Sequence, residues 1–221
     1  VGLTGLVGAG RTEVMESLCG VTRPDAGRVF LQGKETVIKS PSDAMNNGIV
    51  LLPEDMQKTG LILSWGLGRN VTLPVINKLT RKGFIDEKAE NELSKKFLED
   101  VDTKAVTIFD AASSLSGGNQ QKVVVAKALA QDNMKVIIMD EPKKGVDVGA
   151  KAEIYQIMVE LAQQGFAIIM ISSEMPEILG MCDRIYVMSN GRVTGELLRA
   201  DATQEKILEF AMGKGEEEAA V

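Results

Sequence analysis

Three stretches of this chain carry residue types suited to handling phosphate. The first is Gly5-Leu6-Val7-Gly8-Ala9-Gly10-Arg11-Thr12-Glu13. Glycines at this density let backbone N–H groups wrap anionic oxygens, and Thr12 adds a hydroxyl suited to Mg2+. Such a loop ordinarily uses a lysine where Arg11 stands, and a planar guanidinium does not enter it as a compact ammonium does. The second stretch, Leu115-Ser116-Gly117-Gly118-Asn119-Gln120-Gln121-Lys122, opens a helix with a hydroxyl and two glycines. Backbone N–H groups at a helix start carry partial positive charge and attract anionic oxygens. The third is the apolar run Val136-Ile137-Ile138-Met139, which ends in adjacent carboxylates, Asp140-Glu141, before Pro142.

Composition narrows the classes. The 221 residues suit one domain, and 44% hydrophobic with 25% charged residues is ordinary for a globular chain. No apolar run reaches eighteen residues, and Val1-Gly2-Leu3-Thr4-Gly5 lacks the pattern of a signal peptide. With 31 acidic against 25 basic residues the formal charge is −6, which argues against broad binding to a nucleic-acid backbone. There is no histidine, so no histidine base or ligand exists. Cys19 and Cys182 read as small buried apolar residues.

The elements that position these residues follow from pattern. Val1–Thr4 reads as the end of a strand. Thr12–Leu18 is a predicted helix ending near Gly20, Arg28–Gln32 a strand, Pro41–Asn46 a short helix and Gly48–Leu52 a buried strand. That strand leads into Pro53-Glu54-Asp55, where Glu54 is either an oxygen ligand for a metal or a solvated loop acid. A mobile connector with Gly60, Gly66 and the lone Trp65 runs from Met56 to Leu67. Arg69–Ile76 and Asp86–Val101 have helical periodicity, the second charge-laced and expected to face solvent. The helix Gly118–Ala130 is expected to expose Gln120, Gln121 and Lys122 and to bury Val124, Ala128 and Leu129. Val136–Met139 and Phe166–Ile171 are predicted buried strands, with the amphipathic helix Gly149–Gln164 between them. Met175–Met181 is helical, Arg184–Ser189 and Arg192–Glu196 form a hairpin across Asn190-Gly191, and Thr203–Met212 is the last helix. Strands alternating with helices predict a layered α/β core. Residues 214–221, with Glu216-Glu217-Glu218, read as a disordered acidic tail.

The LSGGNQQ run together with the strand ending Asp140-Glu141-Pro142 resembles ABC transporter ATP-binding domains, most closely the C-terminal half of ribose, galactose and xylose import ATPases. The resemblance runs from about Gly2 to about Gly213. It implies a P-loop NTPase (RecA-like) core at about 1–54 and 131–213, with the ABC β-subdomain and an inserted helical subdomain at about 55–130. The adenine-stacking aromatic of that family would precede Val1, so the resemblance implies a domain truncated at its amino end. It implies ATP and Mg2+ as ligands. Gly5, Val7, Gly8, Ala9, Gly10, Arg11, Thr12 and Glu13 would form the nucleotide loop, and Thr12, Asp140 and Glu54 the metal ligands. Glu141, Glu54 and Ser173 would serve catalysis, Ser173 standing where fully active members have a histidine. Leu115, Ser116, Gly117, Gly118, Asn119 and Gln120 would cap ATP held by a partner, and Gly145, Val146 and Asp147 would form the D-loop. Lys143 departs from the family pattern, and nothing in the sequence assigns it a role.

The partners so implied are a second ABC half, a transmembrane permease and, indirectly, a sugar-binding protein, with no nucleic acid. The place implied is the cytoplasmic face of the inner or plasma membrane, held peripherally. Arg11 and Ser173 weaken this chain's own site while its signature stretch is intact, so an asymmetric pair is expected. A homodimer with two equal sites and a non-transport regulatory module are the alternatives.

Overall fold

The computed structural model describes residues 1–142 and 148–214. From the amino end run β1 (Gly2–Gly5), α1 (Arg11–Leu18), β2 (Val29–Leu31), β3 (Lys34–Thr36), α2 (Pro41–Asn47) and β4 (Ile49–Leu52). A π-helical turn at Met56–Gly60 precedes α3 (Leu67–Thr72), a 3-10 segment (Leu73–Leu79), and the short strands β5 (Thr80–Arg81) and β6 (Phe84–Ile85). Then come α4 (Glu87–Asp100), α5 (Gly117–Leu129), β7 (Val136–Asp140), α6 (Val148–Gln163) and β8 (Ala167–Ile171). The chain closes with α7 (Met175–Met181), β9 (Arg184–Ser189), β10 (Arg192–Leu198) and α8 (Gln204–Ala211). Two compact units result, one of residues 1–51, 136–141 and 167 onward, the other of residues 52–135 and 142–166.

In the first unit a six-stranded sheet has the order β10-β9-β1-β8-β7-β4. β1 lies parallel to both β8 and β9, β7 is parallel to β8, and β10 returns antiparallel to β9. Parallel neighbours put the carboxyl ends of β1, β7 and β8 on one edge, where α/β sheets bind ligands. Unbroken apolar runs suit strands covered on both faces; Ile137, Ile138 and Met139 are buried, and Ile138 packs with Leu3, Met15, Ile49 and Ile171. Asn190 and Gly191 adopt φ of 49° and 76°, the left-handed pair that a two-residue hairpin turn requires. Gln32-Gly33 makes the same turn between β2 and β3, a hairpin whose second strand the pattern did not announce.

In the second unit Leu67, Val71, Val101, Ala112, Val123 and Val125 are buried. On α6, Ile154, Met158 and Leu161 recur at helical spacing and are buried together. Asn70 is fully buried and pins the segment before α3, with Oδ1 accepting from Ile62 N (2.8 Å) and Nδ2 donating to the Ile62 and Gly66 carbonyls (both 3.1 Å). The helix expected over Arg69–Ile76 begins earlier, at Leu67, and tightens to 3-10 geometry from Leu73, with Pro74 supplying no N–H. Glu90 also departs from the solvated face expected of α4. It is buried, and the Thr72 hydroxyl donates to its Oε1 at 2.9 Å.

Candidate functional site

The sheet edge of the first unit gathers five of the residues singled out by sequence. β1 ends at Gly5, packed so closely on the Met188 carbonyl that a Cβ would collide with it. The loop then rises to Val7, which is 93% exposed, and returns through Ala9, which is buried. The Gly191 N–H donates to the Ala9 carbonyl at 3.0 Å, tying the loop to the β9–β10 turn. Gly8 and Gly10 have φ of 81° and 92°, which favour glycine, and a Cβ at Gly8 would meet nothing. Open space over a glycine crest leaves room for a ligand's oxygens. Gly10 starts α1, with Glu13 exposed in its first turn.

Beneath the loop, the Thr12 hydroxyl donates to Asp140 Oδ2 at 2.7 Å, and Asp140 is only 3% exposed. A hydroxyl and a carboxylate oxygen in contact form the hard donor set that Mg2+ accepts, the ion keeping its remaining positions for water and phosphate. Among the described residues no group of three or more acidic or cysteine side chains forms a separate metal cluster.

Arg11 has a carboxylate partner. Its Nη1 lies 3.3 Å from Glu141 Oε1, in an ion pair with side chains 11% and 18% exposed. The same carboxylate oxygen accepts from the Ser173 N–H at 2.8 Å. Ser173, expected to act through its hydroxyl, therefore engages Glu141 through its backbone. Glu141 sits at φ 44°, a left-handed conformation for a non-glycine residue, and its N–H donates to the Ile171 carbonyl at 3.0 Å. Behind it the buried Ser172 hydroxyl donates to Glu177 Oε2 at 2.8 Å and accepts from Glu174 N at 3.1 Å, fixing the start of α7. Arg11, Thr12, Asp140, Glu141 and Ser173 thus meet, although sequence separations in their contacts reach 130 residues.

Glu54 and the Leu115–Gln120 stretch belong to the second unit. Ser116 is exposed at the start of α5 and does not cap the backbone with its side chain. Its Oγ instead accepts from Asn119 Nδ2 at 3.1 Å, while Asn119 Oδ1 accepts from Lys104 N at 2.8 Å. Gln120, Gln121 and Lys122, expected exposed, are buried at 2–3%. The reason for two of them is partners distant in sequence. Gln120 Nε2 donates to the Ala112 carbonyl (3.0 Å) and the Leu115 carbonyl (3.3 Å), and its Oε1 accepts from Gln57 Nε2 at 3.0 Å. Lys122 Nζ lies 2.7 Å from Glu153 Oε2 and donates to the Asp102 carbonyl at 2.8 Å. Val124 and Ala128 are buried as expected, whereas Leu129 is only partly buried. Gly145, Val146 and Asp147, with Lys143, lie outside the described residues.

A parallel sheet with a glycine loop between its β1 and α1, and a Thr–Asp contact beneath that loop, defines a P-loop nucleotide-binding core. The ABC transporter family matches residues 1–144, and the chain belongs to that family. It is 48% identical over 213 residues to ribose import ATP-binding protein RbsA 1 of Rhizobium meliloti, covering 96% of this chain and 42% of that protein. It is 47% identical to ribose import ATP-binding protein RbsA of Bacillus subtilis, with 96% and 43% covered. The chain spans 40 to 43% of the length of these and related sugar import proteins. Among solved structures it resembles a nucleotide-free ATP-binding cassette from an ABC transporter, with a TM-score of 0.78 at 25% identity, covering 95% of this chain and 86% of that one. The ADP conformation of the cassette MJ1267 matches at a TM-score of 0.75 and 25% identity, covering 96% and 87%. No helix among the described residues is long and apolar enough to cross a membrane.

Proposed function

We propose that this chain is one ATP-binding half of an ABC sugar importer. It pairs head-to-tail with a second ABC half, its own nucleotide site is catalytically weak, and its signature stretch completes the site of its partner. The observation that carries this reading is the Arg11–Glu141 ion pair. The cation expected at the phosphate loop is engaged with the carboxylate expected to serve as the base. A carboxylate oxygen already bonded to a guanidinium and to the Ser173 N–H has less capacity left to orient a water. Ser173 adds no positive charge where the family uses a histidine.

ATP and Mg2+ fit the residues present. Gly8 to Thr12 would hold the phosphates, with Thr12 and Asp140 as oxygen ligands to the ion. Bound there, the nucleotide supplies a phosphoanhydride bond whose cleavage drives the cycle. This chain's residues orient and neutralise, which is most of what phosphoryl transfer asks of a protein. Thr12 and Asp140 hold each other in position, and Glu141 is the group able to orient a water. On α5, Ser116 to Gly118 offer a hydroxyl and helix-start N–H groups to phosphate on the second ABC half. The relatives bear the names of ribose import proteins. On that basis the pair works at the cytoplasmic face of the membrane, against a permease fed by a sugar-binding protein.

Two measurements test the reading. Calorimetric titration of Mg-ATP into this chain is expected to give weak binding, and S116A in the complete transporter is expected to abolish turnover. Full turnover with S116A would refute the pairing.

A further inference from the structure

Ser116 begins α5 without capping it: its side chain makes no bond to the helix-start N–H groups, which stay open to an anion. The hydroxyl is held instead by Asn119, at the position from which a side chain reaches back over a helix start. Asn119 Nδ2 donates to Ser116 Oγ at 3.1 Å, and Asn119 Oδ1 accepts from Lys104 N at 2.8 Å. The second bond fixes the sense of the first. A backbone N–H can only donate, so the amide must turn its oxygen to Lys104 and its NH2 group to Ser116.

Lys104 is braced in turn. Thr103 N donates to the Leu98 carbonyl and Asp102 N to the Glu99 carbonyl, both at 2.9 Å. The Asp102 carbonyl accepts from the buried Lys122 Nζ at 2.8 Å, and the same ammonium lies 2.7 Å from Glu153 Oε2. A buried cation thus anchors the loop that orients the Asn119 amide, and the amide orients the Ser116 hydroxyl. Because Ser116 Oγ is the acceptor in this contact, its own proton stays available. It donates to no group among the described residues.

We infer that Asn119 is a positioning residue, which presents Ser116 as an oriented donor to a group that only accepts hydrogen bonds, as an ionised phosphate does. The inference rests on the proposed pairing of two ABC halves. It replaces the direct capping of ATP that resemblance implied for Asn119 with action through Ser116.

The test is calorimetric titration of Mg-ATP into the complete transporter as the parent protein, N119D, S116A and N119D/S116A. N119D keeps an oxygen for the Lys104 N–H but has no donor, so its other carboxylate oxygen takes the Ser116 proton. The added charge acts with or without Ser116, and the cycle removes it. N119D is expected to weaken the tighter site about tenfold more when Ser116 is present than in S116A, the effect of one hydrogen bond to a charged group. N119A leaves the proton but frees the hydroxyl among its staggered positions, and is expected to cost about threefold. The thermal midpoint of N119D should match the parent, because the bond to Lys104 is kept. Equal losses from N119D in both backgrounds, a loss in N119A as large as in N119D, or a collapsed midpoint in N119D would overturn the inference and leave the functional reading intact. An S116A transporter that binds and turns over Mg-ATP like the parent would overturn the functional reading, and the inference with it.

Discussion

Whether Arg11 and Glu141 hold each other strongly decides how much of the phosphate loop is available. At 3.3 Å and an effective dielectric of about 20, the gross attraction of such a pair is about 5 kcal/mol. Desolvation of two largely buried groups and ordering of the long arginine side chain cancel most of that, leaving about 1–2 kcal/mol. A double-mutant cycle of R11A, E141Q and R11A/E141Q isolates the term. Glutamine keeps an oxygen to accept from the Ser173 N–H, so the cycle reports the charge pair and not that hydrogen bond. Urea unfolding of the four proteins, free of nucleotide, is expected to give a coupling of about 1–2 kcal/mol. A pair this buried is little screened, so the coupling should persist in high salt. Additive single effects, within about 0.5 kcal/mol, would refute the reasoning. Arg11 would then be free to serve phosphate, and the argument for a weak site would lose its support.

Two further outcomes follow from buried groups elsewhere. K122M keeps the side-chain stem but removes an ammonium bonded to Glu153 and the Asp102 carbonyl; urea unfolding should show a loss of about 2–3 kcal/mol. Cys19 is buried and its thiol is pushed up from 9.0 to about 11 by desolvation. A group whose folded value is raised supports the fold below its unfolded value and loses that support as pH rises. Stability should therefore fall by roughly 1–2 kcal/mol between about pH 9 and 11. The thermal midpoint of C19A should fall less over that window than that of the parent chain.

The parts of the fold readable in sequence were those dictated by neighbours along the chain. The loop from Gly5 to Thr12, the apolar strands ending at Asp140 and Ile171, and the Asn190-Gly191 turn each carry a local reason. The hairpin at Lys82-Gly83 obeys the same turn geometry but lacks the asparagine that advertises it. What stayed hidden was decided by remote partners. Gln120 is polar and looks like a surface residue until Gln57, 63 residues away, is placed against it. Lys122 looks solvated until α6 brings Glu153 to it. Arg11 was recognisable as a departure from a phosphate loop, but nothing near it in sequence announces Glu141, 130 residues on.

The strand order also sets a timetable. β1 sits between β8 and β9, and the Thr4 hydroxyl donates to the Ser172 carbonyl across 168 residues. At a synthesis rate of about 5–20 residues per second, β1 would wait roughly 10–30 seconds for β8 to be made. Non-local parallel pairing is slow to form even once both strands exist. The glycine loop beside β1 is thus made early and braced late, because its support from Met188 and Gly191 comes from still farther along the chain. In the interval Leu3 of β1 and Met15 of α1, buried in the finished sheet, lack the neighbours that cover them.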